Sequence, residues 1–137
     1  RAQVLDGQPW PEGTSVIAGA KATQEAGYIS GYRWAFGLGQ ALAAISRHGP
    51  AVLGLNWYEA MFDTDRAGFI RPTGRVVGGH SLLAVGVNVR LRTVLLHNSW
   101  GPSWGMNGKA YMTWDDFGRL LSEDGEVCLP TRTRPGL

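Results

Sequence analysis

Cysteine is almost missing from this chain: Cys128 is the only one in 137 residues. That excludes an intrachain disulfide and any zinc site built on cysteines, and it leaves the redox compartment open. No apolar run approaches the roughly 18 residues that suggest a membrane-spanning helix, so no membrane partner is expected. Charge of one sign is also scarce. The 13 basic residues, 11 of them Arg, against 11 acidic ones leave a net charge of +2. The one local excess, Arg132 and Arg134, is too small for a nucleic-acid footprint. There is no initiator Met, no signal-peptide pattern, no internal repeat and no low-complexity tract. The opening Arg1-Ala2-Gln3-Val4 reads as a start inside a longer polypeptide, whose targeting information would lie elsewhere.

What is present reads as globular. Hydrophobic residues make up 44% and charged residues 18%, a balance that argues against disorder. The length suits one domain or part of one. Residues 1–14 carry Gly7, Pro9, Pro11 and Gly13 and read as loop. Ser15 is a good N-cap for a helix over residues 16–26, with Gly27 as its stop. Residues 28–36 are aromatic and extended. A second helix is expected over residues 38–47, with Leu38, Leu42 and Ile45 on one face and Gly49-Pro50 as terminator. Residues 51–57 form a continuous apolar run, as in a buried strand.

Further along, residues 63–79 read as a long loop or weak strand. Two strands, residues 80–87 and 91–98, follow around a tight connection at Val89. A loop rich in Gly and Trp then leads to a strand over residues 109–113, a short helix capped by Asp115, and a last strand over residues 126–129. Helices first and antiparallel strands later predict an α+β fold.

The chemistry concentrates in the hairpin. In the simplest register about Val89, His80 lies opposite Asn98 on the same face, with Cβ atoms about 5 Å apart. An Asn side-chain oxygen at that reach accepts a hydrogen bond from one imidazole nitrogen, fixes the ring and leaves the other nitrogen free as a base. Leu82, Ala84, Val94 and Leu96 fall on one face, and Leu83, Val85, Val87 and Leu95 on the other. A strand pair apolar on both faces is a central one, so a polar pair at its open end calls for a reason. Trp100, two residues past Asn98, would cover the bond and keep water away.

Two stretches carry a resemblance. Gly79-His80-Ser81-Leu82-Leu83-Ala84-Val85-Gly86-Val87, followed by Asn98-Ser99-Trp100-Gly101-Pro102-Ser103-Trp104-Gly105-Met106-Asn107-Gly108, resembles the His and Asn motifs of papain-like cysteine peptidases. The second stretch is long and specific. Upstream, residues 41–55, with His48-Gly49-Pro50-Ala51-Val52, resemble that family's segment of helix, Gly-Pro and strand. The resemblance covers about residues 14–130 and implies a papain-like α+β fold, with N-terminal helices before a twisted antiparallel sheet or half-barrel. It implies His80 as general base and acid, Asn98 as its orienting partner, and Trp100 as the shield of their bond. Trp104 would line the leaving-group side of the cleft. Gly79, Ser81 and Gly54 would border the pocket for the residue two before the scissile bond. A peptide or protein would be the substrate, and neither metal nor organic cofactor is needed.

One departure matters. The family's nucleophile sits in a Gln…Cys-Gly-x-Cys-Trp type segment upstream of the His, and residues 1–79 contain no Cys. The oxyanion Gln belongs to the same segment. Residues 1–137 therefore read as the C-terminal portion of a papain-like peptidase domain. The nucleophile-bearing segment would be an upstream partner, in the same protein or on a separate chain. The rival reading is an inactive pseudo-peptidase serving as a binding or structural module. A third makes Cys128 a permuted nucleophile. Against it, Cys128 sits in a strand with no basic neighbour in sequence, which suits a buried free thiol or a disulfide to the absent segment. His97 points away from the Asn98 side and reads as packing or surface. His48 reads as a helix C-terminal cation favoured by the dipole.

Overall fold

Leu38, Ala41, Leu42 and Ile45 recur at helical spacing, and the computed structural model folds them into helix α1 (Gly37–His48), with Ala41 and Ile45 buried. It describes residues 29–132; the helix expected over residues 16–26 lies outside them. The Gln40 side chain accepts a 2.9 Å bond from the Phe36 amide ahead of α1's first turn. At the other end Gly49 takes φ 87° and returns its N–H to Ile45 O at 3.1 Å. Pro50 follows, and the chain leaves the helix directly into a strand. Arg47 and His48 occupy the last turn, where cations offset the helix dipole.

Strand β1 (Ile29–Ala35) precedes α1. After it come β2 (Ala51–Tyr58), a 3-10 turn (Glu59–Phe62), β3 (Val76–Asn88), β4 (Thr93–His97), β5 (Lys109–Thr113), helix α2 (Trp114–Ser122) and β6 (Glu126–Arg132). All the strands pair antiparallel in one open sheet of order β1-β6-β2-β3-β4-β5. The α+β reading holds, although the described portion opens on a strand. Thr113, rather than the expected Asp115, caps α2 by accepting the Asp116 amide at 3.1 Å. Asp116 instead receives Arg71 Nε at 2.5 Å. Among the described residues no helix is long and apolar enough to cross a membrane.

Burial alternates along the central strand β2, although its sequence reads as a continuous apolar run. Ala51↔Ala84, Leu53↔Leu82 and Leu55↔His80 pair across β2 and β3, and their shared face joins Val94, Leu96, Ala110, Met112 and Val127 in one core with Ala41, Ile45, Phe117 and Leu120 of the helices. His80 ends that apolar row. The opposite face is only half covered, and Leu83 there is 38% exposed. So the β3–β4 pair is buried on one side, not on both.

The hairpin register differs from the simplest one. Leu83 pairs with His97 and Ala84 with Leu96. A bulge then shifts the ladder, so that Gly86 faces Leu95 and Asn88 faces Thr93. Residues 89–92 make the connection, with Arg92 at φ 54°. An extra residue in one strand lets the hairpin close on a longer turn while both strands keep their core-facing side chains buried. Asn98 thus lies just beyond the ladder, not directly opposite His80.

Candidate active site

Leaving β4, the chain turns sharply through the Gly- and Trp-rich loop. The Asn98 amide bonds Gly108 O at 2.9 Å, and the Gly108 amide bonds Trp104 O at 2.8 Å. Gly105 and Gly108 adopt φ 57° and 87°. A Cβ on Gly105 would sit 2.4 Å from the Lys109 carbonyl. Glycine is therefore required there by both conformation and space, which accounts for part of the motif without reference to catalysis. The loop anchors Asn98 beside the stretch of β3 that β4 does not reach.

His80 Nε2 lies 2.8 Å from Asn98 Oδ1. The Ser99 amide also donates to Asn98 Oδ1, at 2.8 Å. A backbone N–H can only donate, so Oδ1 is the amide's oxygen and His80 Nε2 must carry a hydrogen. In the neutral ring the lone pair then sits on Nδ1. That is the nitrogen a general base uses. Asn98 is 5% exposed, and its Nδ2 is buried with no hydrogen-bond partner among the described residues.

Aromatic rings enclose the pair. Trp100 lies over His80, with centroids 4.5 Å apart at 32°. Phe62, at the end of the 3-10 turn, stacks on Trp100 at 5.5 Å and 7°. Trp104 is buried and stands edge-on to Trp100 at 5.9 Å. Its indole N–H donates to Phe62 O at 2.9 Å, tying the loop to the end of the 3-10 turn. Trp57, also buried, contacts His80 at 4.7 Å and Trp100 at 5.4 Å. Trp57 and Phe62 were not singled out from the sequence. Trp57 shares the parity of Leu53 and Leu55, which puts it on the core face. Only the β2–β3 register brings that face to His80.

Gly54, Gly79 and Ser81 fall on the other face of the sheet. Gly54 pairs with Ser81, and Gly79 with Asn56. Ser81 joins Val52, Leu83, Asn98 and Ser99 around a shallow pocket of about 410 Å³. The structure therefore brings His80, Asn98 and Trp100 together, sets Trp104 beneath them, and places Gly54 beside Ser81 around the strand edge.

Cys128 stands apart. It pairs with Val52, which pairs with Leu83. Leu83 is an odd number of residues from His80, so Cys128 and His80 point to opposite faces. Two strand spacings and three residues separate them by about 14 Å. Burial, and then the Glu126 carboxylate, push the Cys128 thiol's pKa up. A thiol held protonated on the far face is not a nucleophile for His80. His97 also faces away from His80 and is exposed.

Comparisons with known proteins point to one family. Residues 19–120 match the family model of the papain family cysteine proteases. An uncharacterised peptidase C1-like protein of Acanthamoeba polyphaga mimivirus is 34% identical over 64 residues, which is 43% of this chain and 21% of that protein. Cathepsin B-like cysteine proteinase 4 of Caenorhabditis elegans is 32% identical over 71 residues, 50% of this chain and 21% of the relative. The chain thus spans about a fifth of the length of these curated relatives. Among solved structures, xylellain, a cysteine protease from Xylella fastidiosa, superposes with a TM-score of 0.62 at 22% identity, over 77% of this chain and 41% of that one. The digestive procathepsin L2 proteinase of Tenebrio molitor gives 0.58 at 21% identity, over 75% and 34%. The family match covers the α1–β2 segment, β3 with His80, and the Asn98–Gly108 loop, and on that ground the chain belongs to the papain family of cysteine proteases.

Proposed function

We propose that this chain is the His- and Asn-bearing part of a thiol peptidase, with the nucleophilic Cys supplied by an upstream segment outside these 137 residues. The observation that carries the reading is the oriented His80–Asn98 pair. Asn98 Oδ1, held by the Ser99 amide, fixes Nε2 as donor and leaves Nδ1 to exchange protons. In the assembled enzyme His80 Nδ1 takes the thiol proton, and the thiolate attacks a peptide carbonyl carbon. The imidazolium then protonates the leaving amine, and water, deprotonated by the same nitrogen, resolves the acyl-enzyme. Asn98 keeps the ring turned toward the reacting atoms, and Trp100 keeps water off the bond that does so. Gly54, Gly79 and Ser81 border the substrate on the non-primed side, and Trp100, with Trp104 behind it, borders the leaving group.

The rival reading, an inactive module that keeps the scaffold, draws on the position of Cys128, which leaves no thiol of this chain near His80. One experiment separates the two. The full-length gene product is assayed on a fluorogenic peptide, alongside His80→Ala. Turnover that iodoacetamide blocks and His80→Ala abolishes supports the peptidase. A full-length product with Ser, Gly or Ala at the nucleophile position, and no turnover, establishes the module.

A further inference from the structure

We infer that Trp57 is a positioning residue for His80: a buried wall that holds the imidazole in the rotamer sending Nδ1 toward the reacting atoms. Its purpose rests on the thiol-peptidase reading, while its geometry does not. The imidazole sits in a corner between two indoles. Trp57 meets it at 4.7 Å and 67°, and Trp100 at 4.5 Å and 32°. The two indoles are themselves 5.4 Å apart at 83°. They differ in freedom, because Trp57 is 2% exposed and Trp100 39%. The fixed wall is therefore Trp57, and Trp100 is the outer one.

The sheet register explains how Trp57 reaches the ring. Leu55 pairs with His80, and Trp57 pairs with Gly78. Gly78 offers no side chain, so the diagonal neighbour His80 is the next group on β3 within an indole's reach. Trp57 also contacts Phe62 at 6.5 Å and Trp104 at 6.3 Å, so it joins every ring that encloses the pair. Packing alone does not account for tryptophan at this position. Its Nε1 is buried with no hydrogen-bond partner among the described residues, a cost that Phe or Leu would avoid.

The acceptor end of the His80–Asn98 bond is already immobile, since Asn98 is buried and its oxygen is held by Ser99 N–H. The ring's rotations about Cα–Cβ and Cβ–Cγ are the remaining freedom, and either one swings Nε2 off Asn98. A smaller residue at 57 opens space beside the ring for a second rotamer.

The test reads His80 directly in the full-length product with isotope-labelled histidine. The Nε2 proton should exchange slowly in the parent and at least about tenfold faster in Trp57→Leu. Trp57→Phe should restore part of the protection. Phe117→Leu, a buried change on α2 whose ring stacks on none of these rings, should lower Tm without touching the His80 signal. In the full-length enzyme Trp57→Phe should lower kcat by about tenfold with KM little changed, as a lost orientation does. If Trp57→Leu does not fold, Trp57→Phe is the variant read. Unchanged exchange in the Trp57 variants, or equal acceleration in Phe117→Leu, overturns the inference. A full-length product without peptidase activity defeats the functional reading alone, and the imidazole signal still decides the role of Trp57.

Discussion

His80 Nε2 and Asn98 Oδ1 lie 2.8 Å apart although Asn98 stands outside the β3–β4 ladder. The bond is thus set by the loop that anchors Asn98 to Gly108, not by strand pairing. Removing the side chain tests its worth. Asn98→Ala in the full-length enzyme should lower activity by roughly one to three orders of magnitude, because ring orientation and tautomer are lost while the nucleophile remains. The fold should survive, since a neutral hydrogen bond nets about 1 kcal/mol. Kinetics with circular dichroism on the same sample check both halves. Full activity in the variant would remove Asn98 from the machinery.

The isolated chain should not hydrolyse peptides. Its sole thiol is on the face opposite His80, and burial holds it protonated. A fluorogenic peptide assay should show nothing above background. Turnover abolished by iodoacetamide would overturn this and promote Cys128.

Isolated, the chain should also self-associate. Val76 and Val77 on β3 are 47% and 48% exposed, Leu83 is 38% exposed, and Phe62 and Trp100 are 46% and 39% exposed. Exposed apolar patches of this kind mark association surfaces. Sedimentation should find species larger than a monomer, with binding of a hydrophobic dye. A clean monomer that binds no dye would count against it.

Acid should weaken the clamp between β2 and α2. Tyr58 Oη donates to Glu123 Oε1 at 2.6 Å, and Arg119 Nε donates to Oε2 at 3.1 Å. The Tyr58 bond first, and Arg119 next, hold the Glu123 carboxyl below its ordinary value of 4.5. A depressed pKa means that this stabilisation is fully present above the unfolded-state value and lost as pH falls through the folded one. Glu123→Gln should therefore lower Tm at neutral pH, and the gap from wild type should narrow below about pH 4.5. Thermal unfolding across that range checks it, and a gap that stays constant would show that the carboxylate charge is not involved.

Much of the site was legible locally. His80, Asn98 and Trp100 are close in sequence, and the Gly101, Gly105 and Gly108 punctuation announces a tight loop, because each takes a positive φ. Helix α1 was bounded by Gly49-Pro50 to within a residue at each end. The α2 cap was misplaced because Thr113 and Asp115 are both acceptable cap residues, and only Thr113's position before the first helical turn lets its oxygen reach the Asp116 amide.

The sequence by itself marked the His80, Asn98 and Trp100 cluster and the apolar character of the central strands, because both are short-range properties of side-chain type and spacing. Only the tertiary structure decided the hairpin's bulged register, the insertion of β6 between β1 and β2, the separation of Cys128 from His80, and the meeting of Trp57 and Phe62 with the Trp100 lid. Each depends on which strand lies beside which and at what offset. A one-residue slip reverses every facing side chain, and the choice among offsets is made by the packing of the whole sheet against α1 and α2.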